Sequence, residues 1–259
     1  MTGRTLEELG LADVPRDHPL TYPGAWPAGS ALLHGDRMLP LERLVYDDRV
    51  PVLAVGSNAC PGQLRHKMAG SGIDSAVPMV RSRVSGLDVG VSAHVSRHGY
   101  VSASPVKSPG ALRELFVIWL DRRQLAVIDA GEPNFRRAWL PAPQVRIELP
   151  DGSGLAGAYA YVNRYGVLHD GTAQPRRDAG DQRALLTELL VRSAPLRELF
   201  GVTPEEFCAR ARRDPGLCAR GTRLFAEQKW VTESGFEAYA DGQQTGSPGT
   251  GASLFPPLR

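Results

Sequence analysis

The strongest constraint on the fold is a short apolar run that stops abruptly at small residues. Residues 50–58 read VPVLAVGSN, and the next four are Ala-Cys-Pro-Gly. The apolar, β-branched run predicts a buried strand over Val50–Val55. Proline is favoured at the first helical position, because its missing N–H would be unpaired there in any case. Pro61 therefore predicts a helix over Pro61–Met68, with a tight loop at residues 56–60 between the strand and the helix.

The loop at Gly56-Ser57-Asn58 is suited to binding an anion or a developing negative charge. A helix N-terminus presents unpaired backbone N–H groups and the positive end of the helix dipole. Gly56 permits a sharp turn and the close approach of a ligand to the backbone. Ser57 and Asn58 add short polar side chains. The alternative is a capped turn that binds nothing, and the tripeptide alone does not decide between the two.

A second candidate site follows an apolar run at Leu115–Leu120. The stretch LFVIWLDRRQLAVIDAGEPNF predicts a buried strand, a short helix over Arg122–Asp129 and a break at Gly-Glu-Pro. Glu132 precedes Pro133 and is therefore rigidly placed. Burial against apolar neighbours would raise the pKa of Glu132 by desolvation, which suits a general base or acid. The alternatives are a solvated Glu132, or Asp129 as the active carboxylate.

Further strands and helices are predicted from the hydrophobic pattern along the chain. The remaining predicted strands are Ser82–Val91, Tyr100–Pro105, Trp139–Leu149 and Leu155–Val162. The remaining predicted helices are Thr5–Leu11, Asp181–Ser193 and Pro195–Arg213. Together these elements predict a strand-rich α+β domain with helical additions on its C-terminal side.

Composition divides the chain into four segments. Residues 1–46 are an N-terminal extension, partly irregular because DHPLTYPGAWPAGS holds three prolines and two glycines. Residues 47–194 form the predicted core domain, and 195–240 form a helical extension. Residues 241–259, DGQQTGSPGTGASLFPPLR, are expected to be flexible and dispensable, because so few apolar side chains cannot offset the entropy of ordering them.

Bulk properties exclude several classes of function. The 259 residues carry 30 basic and 28 acidic side chains, a net charge of +2 that does not favour nucleic acid as a partner. The sequence shows neither a transmembrane run nor the apolar segment of a signal peptide. The cysteines Cys60, Cys208 and Cys218 lack metal-ligand spacing. We therefore expect a reduced, cytoplasmic protein, and the excess of Arg over Lys is typical of a bacterial one.

Several stretches between residues 50 and 165 form an ordered pattern. They are AVGSN at 54–58, HGYVSASPVKSPG from His98, VIW at 117–119, IDAGE at 128–132 with NFRRAWL after it, and GAYAYV at 157–162. This order resembles the gamma-glutamylcyclotransferase-like family, whose members carry Tyr-Gly-Ser-Asn, an SPG turn, a VVW-type strand, Leu-Asp-x-x-Glu and a late Tyr-bearing strand. Val55 stands where the family has tyrosine, so an aromatic contact or hydroxyl is missing there.

The resemblance implies an α+β fold of the gamma-glutamylcyclotransferase-like type, a mixed β-barrel with flanking helices. It implies an enzyme of the transferase (acyltransferase) or lyase type, in which the α-amine of a γ-glutamyl group attacks its own side-chain carbonyl. The products are 5-oxoproline and a free amine or amino acid, and no metal or cofactor is needed. The implied partner is a small γ-glutamyl substrate, without nucleic acid or membrane. The leaving group and the oligomeric state stay open, with a homodimer as one option.

The resemblance also implies roles for individual residues. Glu132 is the implied general base. The implied substrate-binding residues are Val55, Gly56, Ser57, Asn58, Ala59, Phe135, Tyr159 and Tyr161. Two rival chemistries are a nucleophilic Ser57 and a Cys60 thiol whose pKa is lowered at a helix N-terminus. Two rival functions are another acyl-transfer or amide-cleaving enzyme of a biosynthetic pathway on the same fold, and a non-catalytic small-molecule-binding protein.

Overall fold

The computed structural model describes residues 3–41, 48–73, 76–177 and 180–241, and these ranges adopt an α+β fold. A large, mostly antiparallel sheet forms its centre, and helices flank the sheet. The predicted flexible tail, apart from its first residue, lies outside the described residues. The proposed division of the chain into four segments stays a prediction.

Eleven strands occur in the described ranges. They are β1 (Arg4–Thr5), β2 (Ala31–His34), β3 (Arg37–Pro40), β4 (Val50–Ala54), β5 (Val77–Val95), β6 (Val101–Leu120), β7 (Phe135–Pro141), β8 (Arg146–Glu148), β9 (Gly157–Asn163), β10 (Val167–Leu168) and β11 (Val231–Thr232). The sheet order is β1-β3-β2-β5-β6-β4-β9-β7, with β8 and β10 also on β5 and β11 on β10. No pairing between described strands joins β1 to β7, so the barrel that the resemblance implies is not observed to close.

The helices lie mainly in the second half of the chain. They are α1 (Pro61–Ala69), α2 (Arg122–Gly131), α3 (Gln182–Arg192), α4 (Ala194–Phe200), α5 (Pro204–Arg213), α6 (Pro215–Glu227) and α7 (Glu237–Asp241). Within the ranges that the structure describes, no helix is both long enough and apolar enough to cross a membrane.

The two runs that frame the predicted sites are extended, Val50–Val55 as β4 up to Ala54 and Leu115–Leu120 as the end of β6, but β6 also contains the separately predicted strand Tyr100–Pro105 from Val101 on, so these two predicted strands are one element. Val50 to Ala54 of β4 pair antiparallel with Phe116 to Leu120 of β6. β4 also pairs in parallel with β9, where Val52 lies opposite Tyr159. The predicted helix after the loop is confirmed as well, with Pro61 at its first position. The loop and the end of β6 are therefore fixed by the same buried sheet.

The predicted strand Trp139–Leu149 is wrong as a single element. β7 ends at Pro141, where the N–H of Gln144 donates to the Pro141 carbonyl oxygen at 2.9 Å and closes a turn. β8 begins only at Arg146. Pro141 and Pro143 have no N–H group, so the chain cannot continue a regular ladder through them.

Two predicted helices also differ from the structure. The helix at Pro195–Arg213 is two helices, because Gly201 has a φ of 91° after α4 and Thr203 then caps α5. The helix at Thr5–Leu11 is only a hydrogen-bonded turn that follows β1. Local break signals therefore outweighed the apolar pattern in both segments.

The N-terminal segment lies against the first turn of α1. The N–H of Gly62 donates to the Leu11 carbonyl oxygen at 3.1 Å, and the Cys60 thiol donates to the Asp13 carbonyl oxygen at 3.5 Å. The N-terminus of α1, which the sequence indicated as an anion-binding site, is therefore partly occupied by carbonyl groups of the same chain.

We expect Gly62→Ala to destabilise the protein. Alanine normally stabilises a helix by about 1 kcal/mol relative to glycine. Here a Cβ would lie 2.6–2.8 Å from the carbonyl oxygens of Leu11, Ala12 and Asp13, which are backbone atoms. Overpacking of this kind costs about 1–3 kcal/mol, so the free energy of unfolding in urea should fall. Gly29→Ala, with no atom within 4 Å, is the control, and a stabilised Gly62 variant would contradict the packing described.

Candidate active site

A single cavity contains both groups of residues that the sequence singled out. Its volume is about 530 Å³, within the range of small-molecule sites. Gly56, Ser57 and Asn58 line it from the loop after β4, and Glu132 lines it from the end of α2. β4 pairs in parallel with β9, and β9 pairs antiparallel with β7, so the start of β7 just after Glu132 lies at the same end of the sheet as the loop after β4.

The backbone on both sides of Glu132 is held by hydrogen bonds. Asp121 and Gln124 form a reciprocal capping box at the start of α2, which fixes where the helix begins. At the other end, the N–H of Glu132 donates to the Asp129 carbonyl oxygen at 3.1 Å. The Glu132 carbonyl oxygen accepts from the Phe135 N–H at 3.0 Å. The carboxylate is therefore presented from a defined position.

Glu132, Lys67 and Asn58 form a closed set of contacts. The Lys67 ammonium lies 2.9 Å from Glu132 Oε1 and donates to Asn58 Oδ1 at 2.8 Å. The Asn58 amide donates to the same Glu132 oxygen at 3.1 Å. Both charged side chains are mostly buried, with exposed fractions of 10% for Lys67 and 16% for Glu132. The loop and the carboxylate are thus joined directly.

The setting of Glu132 is neither the apolar pocket nor the solvated position that the sequence left open. The carboxylate contacts an ammonium group and an amide, so its negative charge has a partner before any ligand arrives. Lys67 was missed at the sequence level. The one feature of the sequence that sets Lys67 apart is the rarity of lysine, since only three of the 30 basic side chains are lysines.

The cavity is rich in positive charge. Among its lining residues are the cationic side chains of Arg16, Lys67, Arg97 and Arg223, whereas Glu132 is the one carboxylate among them. Such a wall attracts an anionic ligand more strongly than a neutral one, because the surrounding protein screens less than water. Within the described residues, no group of three or more His, Cys, Asp and Glu side chains is placed to hold a metal ion.

The remaining residues with predicted roles divide into two groups. Val55, Phe135 and Tyr161 line the cavity. Tyr159 does not, because its ring packs on Trp139 with centroids 5.0 Å apart. Ala59 is fully buried beneath the loop. The roles assigned to these residues stay predictions.

The two rival nucleophiles differ in their access to the cavity. Cys60 is fully buried, and burial raises the pKa of its thiol, opposite to the lowering expected at a helix N-terminus. Ser57 does line the cavity. Among the described residues, no histidine is hydrogen-bonded to its side chain, so a Ser–His pair is not formed there.

A buried histidine, His94, also lines the cavity. Its ring is 3% exposed and its Nδ1 lies 2.7 Å from the Asn163 amide nitrogen. Burial lowers the pKa of His94 to about 4. His98, nearer the surface, has a pKa lowered to about 4, by burial and then by Arg16 and other neighbouring cations.

We expect stability to fall between pH 6.5 and pH 4 because of His94. In the unfolded chain this histidine binds a proton near pH 6.5, but in the folded protein only near pH 4. The stabilisation is therefore complete above about pH 6.5 and is lost as the pH falls towards 4, an effect of about 3 kcal/mol. An NMR titration of the His94 ring, with urea unfolding at each pH, measures it. Protonation of folded His94 near pH 6.5 would contradict this.

Comparison with known proteins identifies no family. No protein-family model matches the sequence, and no curated protein matches it. A solved gamma-glutamyl cyclotransferase is similar with 12% identity and a TM-score of 0.35, over 44% of this chain and 66% of that chain. A solved uncharacterized protein from Homo sapiens is similar with 13% identity and a TM-score of 0.33, over 62% of this chain and 86% of that chain. Likenesses at these scores carry no information about activity.

Proposed function

We propose that this protein is a gamma-glutamylcyclotransferase-like enzyme that forms 5-oxoproline from a γ-glutamyl substrate and releases a free amine or amino acid. The observation that supports it is the shared cavity, in which Asn58 of the loop is hydrogen-bonded to the carboxylate of Glu132. Cyclisation needs one base and several hydrogen-bond donors around one carbonyl group, and this arrangement offers both.

The reaction needs no co-reactant. Glu132 accepts a proton from the α-ammonium of the substrate, and the resulting amine attacks the side-chain carbonyl carbon. A C–N bond forms and the carbonyl oxygen gains negative charge. The bond from this carbon to the leaving nitrogen then breaks, and Glu132 returns the proton to that nitrogen. The attacking nitrogen gives its second proton to the released amine, so the lactam of 5-oxoproline keeps one N–H. Because the attack is intramolecular, holding the glutamyl chain in a bent conformation supplies much of the rate.

Lys67 and the other cations of the cavity serve binding in this proposal. The α-carboxylate of a γ-glutamyl group is negative, and the lining side chains of Arg16, Arg97 and Arg223 offer charges of opposite sign. The positive charge of Lys67 lies next to the carboxyl group of Glu132. Glu132 accepts a proton only in its ionised form. Binding and proton transfer thus use neighbouring groups.

A panel of γ-glutamyl amino acids, peptides and amines, incubated with the protein and followed by mass spectrometry, tests the proposal. We expect 5-oxoproline and one free amine product from at least one member. Release of free glutamate instead would indicate an amide-hydrolysing enzyme. Calorimetric binding without any product would indicate a binding protein. The leaving group and the oligomeric state stay open, and the cytoplasmic, bacterial setting stays a prediction.

A further inference from the structure

The side chain of Tyr22 reaches the candidate loop from the N-terminal segment. Its ring is 5% exposed, lines the cavity and stacks on Tyr100 with centroids 4.4 Å apart. The backbone N–H of Ala103, on β6, donates to its hydroxyl oxygen at 2.8 Å. Stacking and this hydrogen bond fix the hydroxyl in place.

Gly56 is the point where this hydroxyl meets the loop. A Cβ atom at Gly56 would overlap the Tyr22 hydroxyl oxygen. The φ of Gly56 is −148°, outside the left-handed region, so a positive φ does not demand glycine here. The close approach of Tyr22 does demand it. The Tyr22 hydroxyl is therefore packed directly against the backbone of the loop.

The hydroxyl of Tyr22 is held in its protonated form, which can donate a hydrogen bond. Burial raises the pKa of Tyr22 above its usual range, and the neighbouring Tyr100 and Glu132 act in the same direction. Backbone N–H groups act in the opposite direction, chiefly that of Ala103, which donates to the hydroxyl oxygen. A phenol that accepts from N–H groups still has its own O–H to donate, and accepting strengthens that donor.

We propose that Tyr22 is a catalytic residue whose O–H donates to the side-chain carbonyl oxygen of the bound γ-glutamyl group and stabilises the negative charge that develops there. This inference rests on the proposed function. It gives the N-terminal segment a role in the reaction.

Tyr22→Phe tests the inference, because it keeps the ring and removes the hydroxyl. Tyr239→Phe is the matched control, since Tyr239 packs on Phe236 and does not line the cavity. We expect Tyr22→Phe to lower kcat by about 10²–10³-fold with little change in KM, the effect of removing one oxyanion donor. The control should keep the kcat of the unchanged protein, and circular dichroism should show both variants folded.

A second measurement separates hydrogen bonding from packing. Fluorinated tyrosines placed at position 22 keep the ring and strengthen the O–H donor, so kcat should change with the number of fluorine atoms. A kcat that is independent of fluorination, or equal in Tyr22→Phe and the unchanged protein, would overturn the role of Tyr22 alone. An unchanged protein that makes no 5-oxoproline from the panel would overturn the proposed function and this inference together.

Discussion

Glu132→Gln should remove most of the turnover while the protein stays folded. Glutamine has nearly the same shape and keeps an oxygen that accepts from Lys67 and Asn58, so the contacts of the cavity are largely retained. It cannot accept the ammonium proton. Removal of a positioned general base lowers rates by about 10²–10⁴-fold, or roughly 3–5 kcal/mol of transition-state stabilisation. Formation of 5-oxoproline, followed by mass spectrometry, measures the loss.

The matched control for this variant is Glu198→Gln, an exposed carboxylate on α4 outside the cavity. It should turn over substrate as the unchanged protein does. If Glu132→Gln keeps full activity on a confirmed substrate, the base is another residue. Asp129 is then the next to replace, because it accepts from the Tyr161 hydroxyl at 2.8 Å and Tyr161 lines the cavity.

Lys67→Met should destabilise the protein strongly. The substitution leaves the Glu132 carboxylate, 16% exposed, with the Asn58 amide but without its ammonium partner. Removing one member of a buried ion pair costs about 3 kcal/mol or more, because the remaining charge has lost its compensation. The free energy of unfolding, from urea denaturation, should fall by that amount. Lys107→Met, at an exposed lysine on β6, is the control.

The double variant Lys67→Met with Glu132→Gln makes this test specific. It contains no uncompensated carboxylate, so it should recover much of the lost stability. The two single substitutions should therefore be strongly non-additive. Strict additivity would mean that the two side chains do not interact in solution as their 2.9 Å contact indicates.

The sequence predicted the elements whose signals are local. The apolar run of β4, Pro61 at the start of α1 and the break after α2 each have a nearby physical cause, and the structure contains all three. The breaks at Pro141 and Gly201 also had local signals, but the longer apolar patterns around them were given more weight. Local chemistry is thus readable from one sequence when turn residues are weighed against periodicity.

The sequence did not predict the contacts that complete the site. Lys67 lies 65 residues from Glu132, and Tyr22 lies 81 residues from Ala103. No periodicity links residues so far apart, because the pairing depends on how the sheet folds. Tyr22, whose ring lines the cavity, stands in a segment that its prolines and glycines made irregular.

The long hairpin of β5 and β6 has a consequence for the order of assembly. Its strands are joined by a short turn in which the N–H of Ser96 donates to the Tyr100 carbonyl oxygen. The hairpin can therefore form pair by pair outwards from this turn, through contacts between residues that are close in sequence. The cavity instead takes its walls from Arg16 through Val231, and closing such large loops costs entropy that early contacts cannot offset. During refolding, the spectroscopic signal of the β-sheet should therefore appear before the cavity can bind a ligand.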